Sequence, residues 1–256
     1  MKFKDLQPVS GGCIHRCYRA AEGFLKVNHA GMADAFAAEA DGLAALRAAG
    51  CTAPRPIEHG VDAGEAYLLL QWLELRSRGD FAALGRMLAQ VHRSTHDRFG
   101  WARDNFIGAT PQRNDRTGDW KKFWCEQRME PQLELARRNG HRVDIGRVCE
   151  VLDGHAPQPS LVHGDLWSGN FGFTAEGPVV FDPAVYYGDR EVDLAMTELF
   201  GGFPPAFYSA YGPMPAGYET RKHLYNLYHL LNHLNLFGGR YLAQVNATLG
   251  LLRGAL

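Results

Sequence analysis

The stretch that decides the fold is Leu161-Val162-His163-Gly164-Asp165-Leu166-Trp167-Ser168-Gly169-Asn170, answered soon after by Val179-Val180-Phe181-Asp182-Pro183. It begins apolar, turns at His-Gly and presents a carboxylate, Asp165, with an amide, Asn170, five positions on. A second apolar run delivers a second carboxylate, Asp182. Rigid scaffolds place their chemistry on loops hung from strand ends. An Asp, four residues and an Asn is the catalytic-loop spacing of kinase-type phosphoryl transfer. There the Asp takes the substrate hydroxyl, the Asn binds Mg²⁺, and a later Asp holds the metal that bridges the phosphates. A surface Asx turn beside a capping Asp would use the same residue types. That reading gives no reason for both carboxylates to follow strand-like runs in this order.

Upstream, residues 5–27 read as a small antiparallel sheet: Leu6–Val9, a Ser10-Gly11-Gly12 turn, Ile14–Ala20, Glu22-Gly23 and Phe24–Val27. A Gly-Gly pair lets backbone amides approach phosphate oxygens closely, although most such pairs are plain hairpin turns. Lys26, flanked by apolar residues, would by itself be a snorkelling or edge-guarding lysine. The alanine-rich segment Ala33–Ala49 is a helix with Phe36, Ala40, Leu43 and Leu46 on one face and Glu39 in its middle. A strand Lys followed by a helical Glu, upstream of the Asp–Asn–Asp set, is the ion pair that orients a phosphate-binding lysine. Ile57–His59 and Tyr67–Leu70 read as two more strands. The inter-lobe hinge falls at Gln71-Trp72-Leu73-Glu74-Leu75, which divides the chain into a nucleotide-binding lobe, 1–73, and a catalytic and substrate-binding lobe, 74–256.

The second lobe reads as mostly helical. Asp80 caps Phe81–His92, Phe99–Arg116 is a long loop, and Asp119 caps Trp120–Met129. Pro131 marks a fresh helical start, Val143–Leu152 is another short helix, and Gly201–Gly217 is irregular. Asp189 is read as the N-cap of a helix carrying Asp193, a carboxylate that needs hydrogen-bond donors once buried. The amides of the His163-Gly164 turn are the candidates, which would make Asp193 a brace. The last long helix is Arg221–Phe237. Its His229 and His233 stand at metal-ligand spacing, but no acidic ligand or HExxH pattern accompanies them. Packing against the catalytic lobe, with satisfied polar groups or substrate contacts, is the preferred reading.

Composition excludes more than it assigns. The net charge of −1 over 256 residues supplies no global field for nucleic acid or an anionic membrane. No apolar run approaches a membrane span and the start lacks a signal-peptide core, so a cytoplasmic location is expected. Five cysteines without a CxxC pair argue against a disulfide framework and a zinc site. Cys13, behind Gly11-Gly12, is read as a reduced thiol, with redox sensitivity the minority alternative.

Taken as words, the segments Gly11-Gly12-Cys13-Ile14-His15, Phe24-Leu25-Lys26-Val27-Asn28, HGDLWSGN at His163–Asn170, FDPAVYYGDREVDLAM at Phe181–Met196 and LYNLYHLLNHLNLFGG at Leu224–Gly239 go further. Together they resemble the fructosamine kinase (ketosamine-3-kinase) family in its bacterial branch. The resemblance implies an α+β, protein-kinase-like two-lobe fold akin to aminoglycoside phosphotransferases and choline kinases. It also implies ATP-dependent phosphorylation of a ketosamine sugar at O-3, a step of deglycation repair. Carried over residue by residue, it makes Asp165 the group that orients or deprotonates the sugar hydroxyl, with Asn170 and Asp182 holding Mg²⁺. Lys26 would hold ATP phosphates and pair with Glu39, Gly11, Gly12, Cys13 and Ile14 would cover them, and Gln71 and Leu73 would line the adenine. Trp167 would stack on the sugar, and His163, Asp189 and Asp193 would support the loop. The implied partners are small ketosamines or glycated proteins, with the chain a monomer or homodimer. Two features depart from the family: a shorter segment before the Gly loop, and Gln71 where an acidic residue is common. A kinase of another small alcohol would leave Trp167 and the Tyr186-Tyr187-Gly188-Asp189 block without a purpose. A silent binding module would have no use for a full set of competent phosphoryl-transfer residues.

Overall fold

The computed structural model describes residues 2–9 and 14–256. The expected Ser10-Gly11-Gly12 turn and Cys13 lie outside the described residues. The first lobe is a five-stranded antiparallel sheet in the order β1-β2-β3-β5-β4. Its strands are β1 (Gln7–Pro8), β2 (Arg16–Ala20), β3 (Gly23–His29), β4 (Pro56–Asp62) and β5 (Glu65–Leu70), with helix α1 (Ala33–Ala48) between β3 and β4. Side chains alternate across a strand. Leu25 and Val27 therefore enter one apolar layer with Phe3, Ala20, Tyr67 and Leu69. Lys26 takes the opposite face, beside Leu68, which packs in the layer under α1. The strand's period thus aims the lysine at the helix that carries Glu39.

The second lobe begins with α2 (Phe81–Val91), whose first turn is capped by Asp80 accepting from the Ala83 amide at 3.1 Å. A hairpin, β6 (Asn105–Ile107) and β7 (Thr110–Gln112), follows within the segment expected to be loop. These strands are three residues long and one contains Pro111, too little for periodicity to register. Helix α3 (Trp120–Trp124) runs through Cys125–Met129 into α4 (Glu130–Arg138) without the fresh start expected at Pro131. The chain takes one wide turn instead, the Glu130 amide reaching back to the Cys125 carbonyl. That bulge accommodates a proline, which has no amide to give and would clash with a regular turn. Val143–Leu152 is helical only as a short tight turn over Val148–Leu152, because Gly146 takes a left-handed conformation at φ 52°.

Two short ribbons then carry the segments that hold Asp165, Asn170 and Asp182. Strand β8 (Ser160–Val162) pairs antiparallel with β11 (Tyr186–Gly188), and β9 (Phe171–Phe173) with β10 (Pro178–Val180). Four helices complete the lobe: α5 (Glu191–Leu199), α6 (Pro205–Tyr211), α7 (Tyr218–Phe237) and α8 (Leu242–Gly254). Helix α6 stands where irregular chain was expected, since Pro205 sits at the first helical position, where no amide is needed. Helix α8 was not expected at all; it follows the Gly238 break and buries Val245, Leu249 and Leu252. One apolar core joins the lobes, running from Phe36, Leu43 and Leu46 of α1 through Leu84 and Leu88 of α2 to Leu161, Val180 and Phe207. A second lies among α3, α7, α8 and β11. Among the described residues, no helix is long and apolar enough to cross a membrane.

Candidate active site

The register of the β9–β10 ribbon explains how Asn170 and Asp182 meet. Val180 opposes Phe171, so the residues just outside the ribbon are neighbours, and the Phe181 amide donates to the Asn170 carbonyl at 3.0 Å. Asn170 itself closes a turn onto the Trp167 carbonyl at 3.0 Å. Its side-chain amide donates to the Asp165 carbonyl oxygen at 2.8 Å and to Asp165 Oδ2 at 3.0 Å. Asn170 thereby keeps its side-chain oxygen, a hard donor, for other use.

Asp165 leaves the end of β8 through the His163-Gly164 turn. Gly164 is left-handed at φ 83°, and a Cβ there would lie 2.2 Å from the Ala184 carbonyl oxygen, so no other residue fits. Asp193, fully buried on α5, accepts the His163 amide at 2.7 Å and the Gly164 amide at 2.8 Å. It also meets His92 Nε2 at 3.0 Å, and His92 Nδ1 reaches the Tyr211 hydroxyl at 2.7 Å. Burial works against the charged Asp193, yet the His92 hydrogen bond and the neighbouring charges hold its pKa below the ordinary value. His163 is buried and stays neutral, its pKa lowered by desolvation. Its Nε2 meets the Phe181 carbonyl at 3.1 Å and its Nδ1 receives the Asp165 amide at 3.3 Å. Asp165 Oδ2 is held by Asn170, while the side chain remains 18 % exposed and open to an incoming group. Burial, and then the charge of Asp182, raise the Asp165 pKa to about 7.

Facing these groups, Lys26 bridges two carboxylates. Its Nζ lies 2.6 Å from Glu39 Oε1 and is hydrogen-bonded to Asp182 Oδ1. Burial would strip the lysine of its proton, but Asp182 and Glu39 together raise its pKa. Desolvation raises Glu39 to about 7 against the pull of Lys26. Helix α1 comes this close because Gly42 has no Cβ; one would meet Val185 Cγ2 at 3.1 Å and Pro183 Cγ at 3.4 Å. Asp182 adopts φ 56°, a costly left-handed conformation for a non-glycine residue, and its side chain is 41 % exposed.

The remaining expected residues fall in three places. Gly11, Gly12 and Cys13 lie outside the described residues; Ile14 is half-buried and its carbonyl accepts from Asn28 Nδ2 at 3.0 Å. Gln71 donates its amide to the Arg55 carbonyl at 2.8 Å, so that amide is not free for adenine, whereas Leu73 is half-buried at the end of the sheet. Trp167 is half-exposed with its ring edge-on to Phe200 at 6.0 Å. Asp189 is not a simple helix cap. Its Oδ1 accepts the Glu191 amide at 3.1 Å, but its buried Oδ2 also meets Tyr225 and His155, each at 2.6 Å, and the cap position itself is Arg190. His15 was not singled out for chemistry by the sequence; burial and the charge of Lys26 lower its pKa to about 4. His92 gave no local signal either, since its partner Asp193 is distant in the chain.

A family model for fructosamine kinase matches residues 1–253. The chain belongs to the fructosamine kinase family. Within that family's reach, a Synechocystis protein named as a probable ketoamine kinase is 48 % identical, over 97 % of this chain and 90 % of its own. One from Vibrio parahaemolyticus is 42 % identical over 94 % of this chain and 90 % of its own. The solved structure of a Haemophilus somnus protein assigned as a fructosamine-3-kinase superposes with TM-score 0.91 at 29 % identity, covering 98 % of this chain and 91 % of that one. An aminoglycoside phosphotransferase matches at TM-score 0.61 and 16 % identity over 99 % and 95 % of the two chains, which places the fold alone. The fold is protein-kinase-like, and the chain is a kinase of ketoamine type.

Proposed function

We propose that this fructosamine kinase-family chain transfers the γ-phosphoryl group of ATP to O-3 of the sugar of ketosamines, free or on glycated lysines, as a step of deglycation repair. The observation that carries the assignment of roles is the opposition of two assemblies. Asp165, held by Asn170, stands on one side, and Lys26, bridging Glu39 and Asp182, on the other. Asp165 accepts the sugar hydroxyl proton as that oxygen bonds to the γ-phosphorus and the bond to ADP breaks. Lys26 binds the phosphates and Glu39 fixes its direction. Asn170 and Asp182 offer hard oxygen donors, and Asp182 is exposed enough to use them, so the residues fit Mg²⁺. Mg²⁺, when bound there, neutralises charge building on the phosphates. With the Gln71 amide already engaged, the adenine edge falls to the backbone of Trp72 and Leu73. The half-exposed Trp167 ring offers a flat apolar face to sugar C–H groups. The lobes are taken to divide at 1–73 and 74–256, and the enzyme to act in the cytoplasm.

Coupled ADP release tests the reading, with Mg²⁺-ATP and ribulose-lysine, fructose-lysine, choline, an aminoglycoside or no acceptor. Selective turnover of the two ketosamines is expected. Turnover of choline or the aminoglycoside alone would overturn the substrate while leaving the phosphoryl-transfer roles intact.

A further inference from the structure

Two polar side chains on α7 fail the test that a purely structural helix should pass. His229 is fully buried, yet neither ring nitrogen has a hydrogen-bond partner among the described residues. One turn earlier, the buried Asn226 Oδ1 is likewise unpartnered. Orphaned buried polar atoms are rare and costly, and replacing them with apolar groups of similar shape is neutral or favourable. A core position with no other duty would therefore carry a leucine or phenylalanine, as its neighbours Leu227, Leu230 and Leu231 show. What His229 does face is the reaction centre: its Nδ1 lies 3.8 Å from Asp165 Oδ1. Asn170 binds Oδ2 of the same carboxylate. Catalytic hydrogen bonds are often long in the unliganded protein and tighten in the complex.

We propose that His229 is a positioning residue for Asp165: its neutral imidazole donates Nδ1–H to Oδ1, the carboxylate oxygen that Asn170 does not hold, and so fixes the plane in which the carboxylate meets the acceptor hydroxyl. Closing the gap to a normal N–H···O distance takes a movement of roughly 1 Å. Because the ring is sealed from solvent, it acts through Asp165 and does not touch the sugar. Burial, with the neighbouring His233 adding to it, lowers the ring's pKa to about 3, which keeps one nitrogen a donor and the other a lone pair. The ring therefore stays uncharged near neutral pH and adds no cation that would weaken the carboxylate as a base. With both oxygens tethered, Asp165 cannot rotate about its last bond, and the lone pair aimed at the substrate stays aimed.

The proposal rests on the reading that Asp165 engages the acceptor hydroxyl, so the experiment separates the two. His229→Leu, His229→Gln, Asp165→Asn and the double variant Asp165→Asn/His229→Leu are assayed as full-length protein for ADP release with saturating fructose-lysine. His229→Leu is expected to lower kcat by about tenfold or more, the loss of one hydrogen bond to a charged group. It should leave KM for ATP within about twofold, because the nucleotide groups are untouched. Its Tm should equal or exceed wild type, since two orphaned nitrogens are removed. His229→Gln, which restores an N–H donor, should recover most of the lost kcat. In the Asp165→Asn background, His229→Leu should cost nothing further. A His229→Leu protein that keeps wild-type kcat, or that fails to fold, would assign the ring to the core and sink the proposal. So would a folded His229→Gln as slow as His229→Leu, or full additivity in the double variant. Wild-type kcat in Asp165→Asn would instead remove the reading of Asp165 itself.

Discussion

The brace behind the His163-Gly164 turn can be broken with almost no change of shape, by Asp193→Asn. In the wild type Oδ2 accepts from the His163 amide at 2.7 Å and faces His92 Nε2 at 3.0 Å, while Oδ1 accepts from the Gly164 amide at 2.8 Å. Asparagine fills the same space, so no cavity term enters, but it has a single acceptor oxygen. Whichever way the amide turns, an NH₂ group is set against a buried N–H donor. The less damaging orientation sacrifices the Gly164 bond and spares the other two. A hydrogen bond to a charged acceptor contributes about 1.5–3 kcal/mol, and the amide left unsatisfied costs about 1–3 kcal/mol more, with partial overlap between the two. A net loss of about 3 kcal/mol corresponds to a fall in Tm on the order of 10 °C for a chain of this size. The pH dependence gives the sign. The folded pKa of Asp193 is held below its unfolded value, so the ionised group contributes stability above about pH 4, lost as pH falls through the lowered folded value. Thermal unfolding followed by near-ultraviolet circular dichroism at pH 7 and near pH 3.5 therefore reads a gap between wild type and variant that narrows in acid. Turnover should fall alongside, because the amides that shape the Asp165 turn lose their anchor. A Tm within about 2 °C of wild type at pH 7, or a gap unchanged in acid, would refute the reasoning.

Two further substitutions follow from the same geometry. Asp165 has a folded pKa raised to about 7, so between its unfolded value and that point the unfolded state releases a proton that the native state keeps, and native stability falls as pH rises. Asp165→Asn should thus raise Tm at pH 8 and make no difference at pH 4 while lowering turnover by orders of magnitude to a residual rate that can still be measured; an equal or lower Tm at pH 8 would show that the carboxylate is not destabilised by its site. Lys26→Met removes the cation shared by Glu39 and Asp182, and kcat/KM for ATP should drop by roughly 100-fold or more, measured by steady-state titration with Mg²⁺-ATP. A loss below about threefold would take Lys26 out of the phosphate site.

How much of this was legible beforehand depended on the distance between a signal and its partner. Asp165, Asn170 and Asp182 stand on one turn and one ribbon, so a short local pattern carries their geometry. Lys26 and Glu39 were readable because strand alternation and helix position fix where each side chain goes. The donors to Asp193 were readable too, since a buried carboxylate near a turn of free amides has few places to go. His92 was not, because only the packing of α2 against α6 and α5 makes its ring a partner of Asp193 and Tyr211. The β6–β7 hairpin was lost for a different reason. Its side chains reach across the chain, Asn105 donating to the Val185 carbonyl at 2.7 Å and Gln112 to the Ala184 carbonyl at 3.2 Å, and no local alternation announces it. His229 shows the limit on the other side: its spacing from His233 left open a metal pair, satisfied polar groups or substrate contacts, and the environment that leaves both its ring nitrogens without a partner among the described residues exists only in the folded chain.

The apolar core shared by α1, α2, β8, β10 and α6 bears on how such a chain can be recombined. On the proposed roles, function divides between phosphate grip on the sheet side and hydroxyl activation on the helical side, as if the two halves were exchangeable parts. The packing divides elsewhere. Phe36, Leu43 and Leu46 are buried against side chains contributed from far beyond residue 73, and Gly42 fits the contour of Pro183 and Val185 to within a few tenths of an ångström. A chimera that joined this sheet to a relative's helical half would have to match that seam before it could inherit either half's function.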